Sequence, residues 1–517
     1  MRSLAFLLLL CVSLFSSVDS SKIQTLYYSL RQDSLKECMA FYELFPDHPL
    51  GKKALDHALD LINVHREQPF DKGLALHFPE ISVSALIQSI GFRSSQELPT
   101  LSQSDVEWID QFSSHLKNRA LSGHQVTTLS QAKTLSLDEI DLSRTLFLLQ
   151  FQDDLVKVKQ YEATLDLMAL EILAKVGKNP TTSSLLKAMH ELIFFEMGFR
   201  FPPHSLWAKD VDTFTFLPSV MDDRFGVCLG VSILYLSLGQ RLGVPFFIYT
   251  PPGHIFLQAE LEDHSFINIE TTARGIHIPM EEYLGMNMIQ LSCRTIKEVA
   301  GMALMNQAAH YWETENYEAA LKIYLEASDF MQDDPLLNYF ISINALCCDQ
   351  KKLSKTAFDT YQRTKKQDCI KDQTMLDDYY NNKVNVDGLK LIFLSVDETR
   401  DSILKKQSEL KTVLVKYPKF REGIFHLGVT HLQLSQIQKA KECFEAYHAI
   451  DQTNPTVEYY LAILCSHRLD YKKAFEHLSN AENLLKSHGK SLKILKPLRL
   501  ELTKVICPKA SFSLSDA

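Results

Sequence analysis

Met221-Asp-Asp-Arg-Phe-Gly-Val-Cys228-Leu-Gly230 runs directly into Val231-Ser-Ile-Leu-Tyr-Leu-Ser-Leu-Gly-Gln-Arg-Leu-Gly-Val-Pro245. Val231, Leu234, Tyr235, Leu238 and Leu242 recur at helical period, and Gly243 and Pro245 stop the run. The pattern predicts a buried helix with Cys228 on its first turn. A sulfur there faces the positive end of the helix dipole and several backbone N–H groups, a setting that favours thiolate. Downstream, His254 follows Thr250-Pro-Pro-Gly253 between two β-like runs, Phe246 to Tyr249 and Ile255 to Ala259. A polar turn, Glu262-Asp-His-Ser265, leads to a third run ending in Glu270-Thr-Thr272. Cysteine at a helix start, histidine beside a strand and carboxylate at the end of the next form a nucleophile–base–orienter set: Cys228, His254 and Glu270.

These residues resemble the transglutaminase-like superfamily, whose pattern is Gly-x-Cys, a small residue four on, Gly-x-Pro, His on a strand, then Asp-Pro-Thr. Here the positions read Gly226-Val-Cys228, Ser232, Gly243-Val-Pro245, His254 and Glu270-Thr-Thr272, with Glu where Asp is usual. Glu191-Leu-Ile-Phe-Phe-Glu-Met-Gly-Phe-Arg200 is similar to the helix leading into a bacterial subgroup that often carries tetratricopeptide repeats and often lacks the cysteine. The resemblance implies a papain-like α+β core domain and acyl transfer through an acyl-thioester, with no metal or organic cofactor. The product would be a thiol amide hydrolase, protease or transamidase. The alternative is a non-catalytic repeat scaffold with a relic domain.

Past about Leu291 the pattern turns helical without strands, and a repeat emerges. Leu304, Ala308, Tyr311, Tyr317, Ala320, Tyr324 and Ala327 have tetratricopeptide spacing. Leu427, Gly428, His431, Ala440 and Phe444 repeat it, as do Leu461, Ala462, Cys465, Tyr471, Ala474, Leu478 and Ala481, with Ala440 and Ala474 34 residues apart. Small residues let paired helices approach and aromatics fill the gaps. Tyr339 to Tyr361 is a weaker copy, 366 to 400 reads as a degenerate repeat or insertion, and Leu404 to Tyr417 as a further second helix. Stacked pairs make an all-α solenoid whose concave groove suits a protein or peptide partner.

Of 517 residues, 46% are hydrophobic and 23% charged, as in soluble globular proteins, and the net charge of −9 argues against a nucleic-acid surface. Arg2, an apolar core from Leu4 to Phe15 and a small-residue exit read as a signal peptide, with the mature chain starting near Ser21. A retained anchor or lipidation at Cys11 are the alternatives. No other segment spans a membrane, so the chain is expected to be exported, periplasmic or secreted. Ten cysteines at irregular spacings include no C-x-x-C pair, and Cys443 and Cys465 read as core residues.

The expected organisation is a signal peptide (1–20), a helical N-terminal region (21–130), the transglutaminase-like domain (131–290), the repeats (291–490), then a C-terminal helix and disordered tail (491–517). Within this, Pro46 and Pro49 break an early helix, Asp105 to Leu121 forms one helix, and Ser130 to Leu137 is connecting chain. A helix begins at Asp141, another runs from Tyr161 to Val176, and Ser184 starts the next. His190-Glu191 reads as a surface or rim pair rather than a zinc motif, since no second His stands four residues away. Asp222, Asp223 and Arg224 read as a solvated turn, with Arg224 an alternative anchor for a substrate carboxylate. Asp263 and His264 are near-sequence alternatives to Glu270.

Overall fold

The computed structural model describes residues 20–66, 83–91, 101–202, 214–283, 291–365, 374–394, 396, 399–487 and 492–506. The expected signal peptide, the chain near Pro69, Pro79 and Pro99, and the C-terminal tail lie outside them. The fold is mostly helical α+β, in two compact units. The first comprises Met1–Pro202, Thr213–Phe247 and Leu257–Ile276; the second comprises Pro203–Asp212, Ile248–Phe256 and His277–Ala517.

The first unit begins with α1 (Ser20–Ser29), α2 (Leu35–Leu44), α3 (Pro49–Asn63) and α4 (Val83–Ile90). Pro49 starts α3 rather than only ending its predecessor, because a first-turn proline loses no intrahelical bond. Next come α5 (Gln103–Phe112), α6 (Leu129–Thr134), α7 (Leu142–Phe151), α8 (Leu155–Lys175), α9 (Thr182–His190), α10 (Leu217–Asp223) and α11 (Cys228–Leu242). The single helix expected over Asp105–Leu121 is instead α5 followed by two 3-10 turns. Ser102 caps α5 and Asp105 closes the capping box from inside the first turn. Thr128 and Gln131 cap α6 in the same way, where connecting chain was expected. Ser184 likewise lies inside α9, which Thr181 caps. A π-helical turn, Glu191–Glu196, extends α9.

Helix α8 organises this unit. It is buried almost all round from Glu162 to Ala174, so its carboxylates can be kept only if each is paired. Glu162 takes a bidentate guanidinium from Arg144 of α7, at 2.8 and 2.5 Å. Asp166 accepts from Arg241 Nε of α11 at 2.7 Å and from Arg119. Glu171 accepts from Ser34 Oγ and Lys36 N, both at 2.9 Å, at the start of α2. Burial, partly offset by Lys36 and Lys175, pushes the Glu171 carboxyl above its ordinary range. Three acids spaced along one helix thus fix three other helices, among them α11.

Strand β1 (Phe247–Thr250) follows α11, then β2 (Phe256–Glu260), β3 (Phe266–Ile269) and β4 (Ser292–Arg294). Within the first unit, β2 and β3 pair antiparallel, Leu257 opposite Ile269 and Glu260 opposite Phe266. Within the second, Ile248 to Thr250 pair antiparallel with Arg294 to Ser292. The β4 strand was not legible beforehand, because three residues leading into a helix show no alternation.

The second unit continues as helix pairs: α12 (Ile296–Glu313) with α13 (Tyr317–Ala327), and α14 (Pro335–Cys347) with α15 (Lys351–Thr364). Then come α16 (Thr374–Tyr380), α17 (Val386–Phe393) and α18 (Arg400–Lys416). The pairs α19 (Arg421–Gln433) with α20 (Ile437–Ile450) and α21 (Pro455–His467) with α22 (Tyr471–Ser487) follow, and α23 (Lys496–Ile506) packs on the last. One turn recurs at Glu315, Asp349, Asn382, Ser435 and Leu469, each left-handed at φ 54 to 62°. The next N–H returns to the carbonyl five residues back, as in Asn316 to Tyr311 (2.8 Å) and Gln436 to His431 (2.8 Å). Glu315 and Asp349 are 34 residues apart, as are Ser435 and Leu469. Asn382 shows that 374–393 is a shortened repeat, the degenerate repeat of the two options left open by the sequence. Its second helix ends early, and buried Lys406 of α18 donates to the Ile392 and Leu394 carbonyls at that end.

Candidate functional site

Cys228 is the first residue of α11, and Val227, at the N-cap, has no side chain that can cap it. The first-turn N–H groups of the helix therefore have no side-chain cap. Two contacts fix the approach: Val227 N donates to Phe214 O at 3.1 Å, and Gly226 N to Arg200 O at 3.2 Å. Glycine is required one step on, since a Cβ at Gly230 would lie 2.2 Å from Phe214 O. Cys228 itself is partly exposed. The far end of α11 is anchored by Arg241 on Asp166 and by Gln240, which donates to Ile140 O at 2.7 Å.

Glu270 closes β3 in the same unit and is 3% exposed. Its carboxylate oxygen Oε1 accepts from Thr272 N at 3.1 Å and from the Thr272 hydroxyl, capping a 3-10 turn. The next residue, Thr271, donates to the Cys228 carbonyl oxygen at 3.3 Å. Ser232, one turn down α11, stands 3.2 Å from the Thr271 hydroxyl. The structure thus brings the carboxylate-bearing strand end to the helix turn that carries the cysteine. Asp263 and His264 lie instead in the exposed β2–β3 turn, bonded to Ser265 and Glu260.

His254 belongs to the second unit. Pro251 O accepts from His254 N at 3.0 Å, with Gly253 at φ 72°. Proline then glycine at the central positions make a type II turn, which fixes where the imidazole leaves the chain. The ring stacks on Tyr283, centroids 5.9 Å apart, and Tyr283 stacks in turn on Phe256.

Arg224 departs from both expectations. It is 5% exposed, in a left-handed conformation, and its guanidinium donates to the carbonyls of Gly91 and Met197. It ties the end of α4 to the loop before the cysteine, so it is neither a solvated turn residue nor a substrate anchor. Asp222 accepts from the Tyr161 hydroxyl at 2.7 Å, and Asp223 is exposed as expected. His190 is half-buried, at the rim rather than fully on the surface, packed on Phe194 and Phe195, with burial lowering its pKa. Its ring lies against Gly275, where a Cβ would come within 2.8 Å of Nδ1.

Among the described residues, one group of potential metal ligands stands elsewhere in the first unit: His124, Asp141 and Glu162, with ligand atoms within 4.8 Å of one another. Arg144 already covers Glu162, Arg119 lies 2.7 Å from His124 Nε2, and Asn118 donates to Asp141 at 3.0 Å. Burial alone would raise the Asp141 carboxyl, but His124, Arg241 and Asn118 outweigh it and hold it far below the carboxylate range. Two guanidinium groups supply the positive charge a metal would bring, so the cluster is structural.

Burial pushes Cys38 and Cys347 up to about 12 and Cys443 up to about 11, and also raises Cys348 and Cys465. Cys465 is a core residue, and Cys443 is partly buried.

Residues 159–292 match the family described as the transglutaminase-like superfamily. No curated protein matches the chain. Among solved structures, YrrB, a tetratricopeptide-repeat protein with an unusual peptide-binding site, shares 17% identity, covering 40% of this chain and 92% of its own, with a TM-score of 0.19. PilF of Pseudomonas aeruginosa shares 17%, covering 41% and 86%, with a TM-score of 0.21. Yeast Tom70 shares 9%, covering 98% and 90%, with a TM-score of 0.23. The repeat assignment rests on the recurring turns and their 34-residue period, not on these likenesses.

Proposed function

We propose that this is an exported thiol amide hydrolase or acyltransferase working through Cys228, His254 and Glu270, with a repeat region that holds a protein or peptide partner. The observation that carries the reading is the hydrogen bond from Thr271 to the Cys228 carbonyl, which joins an uncapped helix start bearing a thiol to the strand end bearing Glu270. In this reaction His254 takes the thiol proton and the Cys228 sulfur attacks an amide carbonyl. The oxyanion is held by N–H groups of the helix's first turn. Collapse passes the proton from the imidazolium to the departing amine and leaves an acyl-thioester. Water then gives hydrolysis, and an amine gives transamidation. In this reading Glu270 is the orienting carboxylate.

The second reading is a non-catalytic scaffold. It is favoured by the engagement of Glu270 Oε1 in a local cap and by the regularity of the repeat turns. Limited iodoacetamide at about pH 6 separates the two, since only an activated thiol reacts quickly there. Cys228 should be labelled first, more slowly in His254→Ala, and with a smaller loss in Glu270→Gln. Equal labelling of several cysteines, insensitive to His254→Ala, rejects the enzyme and leaves the scaffold. Export is tested separately, by sequencing the mature N-terminus, which should fall within a few residues of Ser21.

A further inference from the structure

Arg200 is held directly beside the chain that leads to Cys228. Its N–H donates to Arg224 O at 3.1 Å, and its carbonyl accepts from Gly226 N at 3.2 Å. These bonds form a parallel bridge between Arg200 and Phe225, three residues before the cysteine. The guanidinium carbon lies 4.8 Å from the centre of the Phe225 ring, and that ring meets Phe214 edge-on at 6.0 Å. Stacking on a ring that is itself braced gives the cation a defined position while leaving its N–H fork free.

The charge is not consumed. Arg200 is exposed, and among the described residues no carboxylate pairs with it, including the exposed Asp223 next to its hydrogen-bond partner. Other arginines of this unit are engaged: Arg119 and Arg241 with Asp166, Arg144 with Glu162, and Arg224 with backbone carbonyls. In a chain of net charge −9, an unpaired, ring-braced cation stands on the segment that leads to the candidate nucleophile. Phe225, whose ring carries the guanidinium, is three residues before Cys228, at most about 11 Å of extended chain.

We infer that Arg200 selects the substrate: the scissile amide carries a carboxylate near the bond, and the Arg200 guanidinium pairs with it. This rests on the proposed role of Cys228 and adds the chemical class of what it attacks. The sequence offered Arg224 for this task, but the fold buries that side chain and exposes Arg200 instead.

The two haloacetates make the test, because they differ in charge and not in chemistry. In each, the Cys228 thiolate forms a carbon–sulfur bond and iodide leaves. Iodoacetate carries the carboxylate; iodoacetamide is neutral. Rates are read at the Cys228 peptide of the full-length protein, with exposed Cys293 as internal standard. Arg200→Gln should lower the iodoacetate rate about threefold or more at low salt and leave the iodoacetamide rate within about 1.5-fold. Arg200→Lys should retain most of the preference. Arg274→Gln is the control. That exposed arginine follows Thr271 by three residues and stacks on no ring among the described residues, so its loss should change the iodoacetate rate less than that of Arg200. Raising the ionic strength to about 0.5 M should erase the difference between wild type and Arg200→Gln.

An unchanged iodoacetate-to-iodoacetamide ratio in Arg200→Gln overturns the inference. So does equal slowing by both reagents, or an Arg274→Gln effect as large as that of Arg200→Gln. Failure of the catalytic reading shows up differently, as an iodoacetamide rate that ignores His254→Ala.

Discussion

The Thr271 hydroxyl donates to the carbonyl oxygen of Cys228 at 3.3 Å, and the Ser232 hydroxyl lies 3.2 Å behind it. Because Thr271 spends its proton on Cys228, Ser232 is the donor of the second bond. The two hydroxyls form a buried relay between the end of β3 and the first turn of α11, with Ser232 fully buried and Thr271 2% exposed. Thr271→Val keeps the shape but removes the hydroxyl, leaving Ser232 without that partner. It should cost about 1–2 kcal/mol in urea unfolding, and Thr271→Ser should recover most of it. Equal stability of the Val and Ser variants would show that the relay contributes nothing.

Arg241 and Asp166 test the anchoring of α11. Their side chains are 0% and 3% exposed, with Nε to Oδ1 at 2.7 Å. Arg241→Met leaves Asp166 with Arg119 as its one cation and the Ser113 hydroxyl beside it, and should cost about 3–5 kcal/mol, the usual result of stranding one partner of a buried pair. A denaturation midpoint within error of wild type would mean that Arg119 neutralises Asp166 unaided.

Leu469 holds the repeat turn before α22 at φ 62° although it carries a Cβ, and it is 70% exposed. A non-glycine residue in that region is strained by about 1–2 kcal/mol, so Leu469→Gly should raise the melting temperature. A lowered melting temperature would mean that the leucine contributes more contact than its backbone costs.

Ala440 and Ala474 are both fully buried where paired helices meet. Replacing either with Trp should overpack the contact and cost about 1–3 kcal/mol by thermal unfolding. If neither change has an effect, the 34-residue alignment does not describe the packing.

Acid should act on the first unit in two stages. Burial, then the nearby Arg66, lowers His115 to about 4. A base with a depressed folded pKa contributes stability while neutral, so this contribution is present above about pH 6.5 and is lost as pH falls toward 4. Burial would raise Glu196, but Arg31, Lys36 and Lys175 overcome it and hold the carboxyl at about 2. Its contribution is present above about pH 4.5 and is lost only as pH falls toward 2. His115→Phe should therefore flatten the stability change between about pH 6.5 and 4, and Glu196→Gln the change below that range. Urea midpoints across the series distinguish the two, and a His115→Phe curve parallel to wild type removes His115 from the account.

Local chemistry was legible in the sequence because it is local. Helical period, Gly243 and the Pro-Pro-Gly turn act within a few residues, so α11, its stop and the approach to His254 follow from the chain alone. The repeats were legible for the same reason, since each turn is closed within its own six residues. Helix starts were misread by a few residues where the N3 residue of a capping box was taken as the start, as at Asp105 and Ser184.

What the sequence by itself determined is the set of chemical groups: a cysteine at a helix start, a carboxylate at a strand end, and a 34-residue repeat. Only the tertiary structure decided which charges are spent and which remain available. Arg224 and Arg200 are both arginines in polar sequence, yet one is buried against two carbonyls and the other lies open on a phenylalanine ring. Burying a cation is tolerable only where distant partners satisfy it, and Gly91 lies 133 residues from Arg224. The same holds for Asp166, whose two arginines come from 47 and 75 residues away. Partners that remote leave no period or spacing in the chain, so their pairing becomes visible only once the chain has folded.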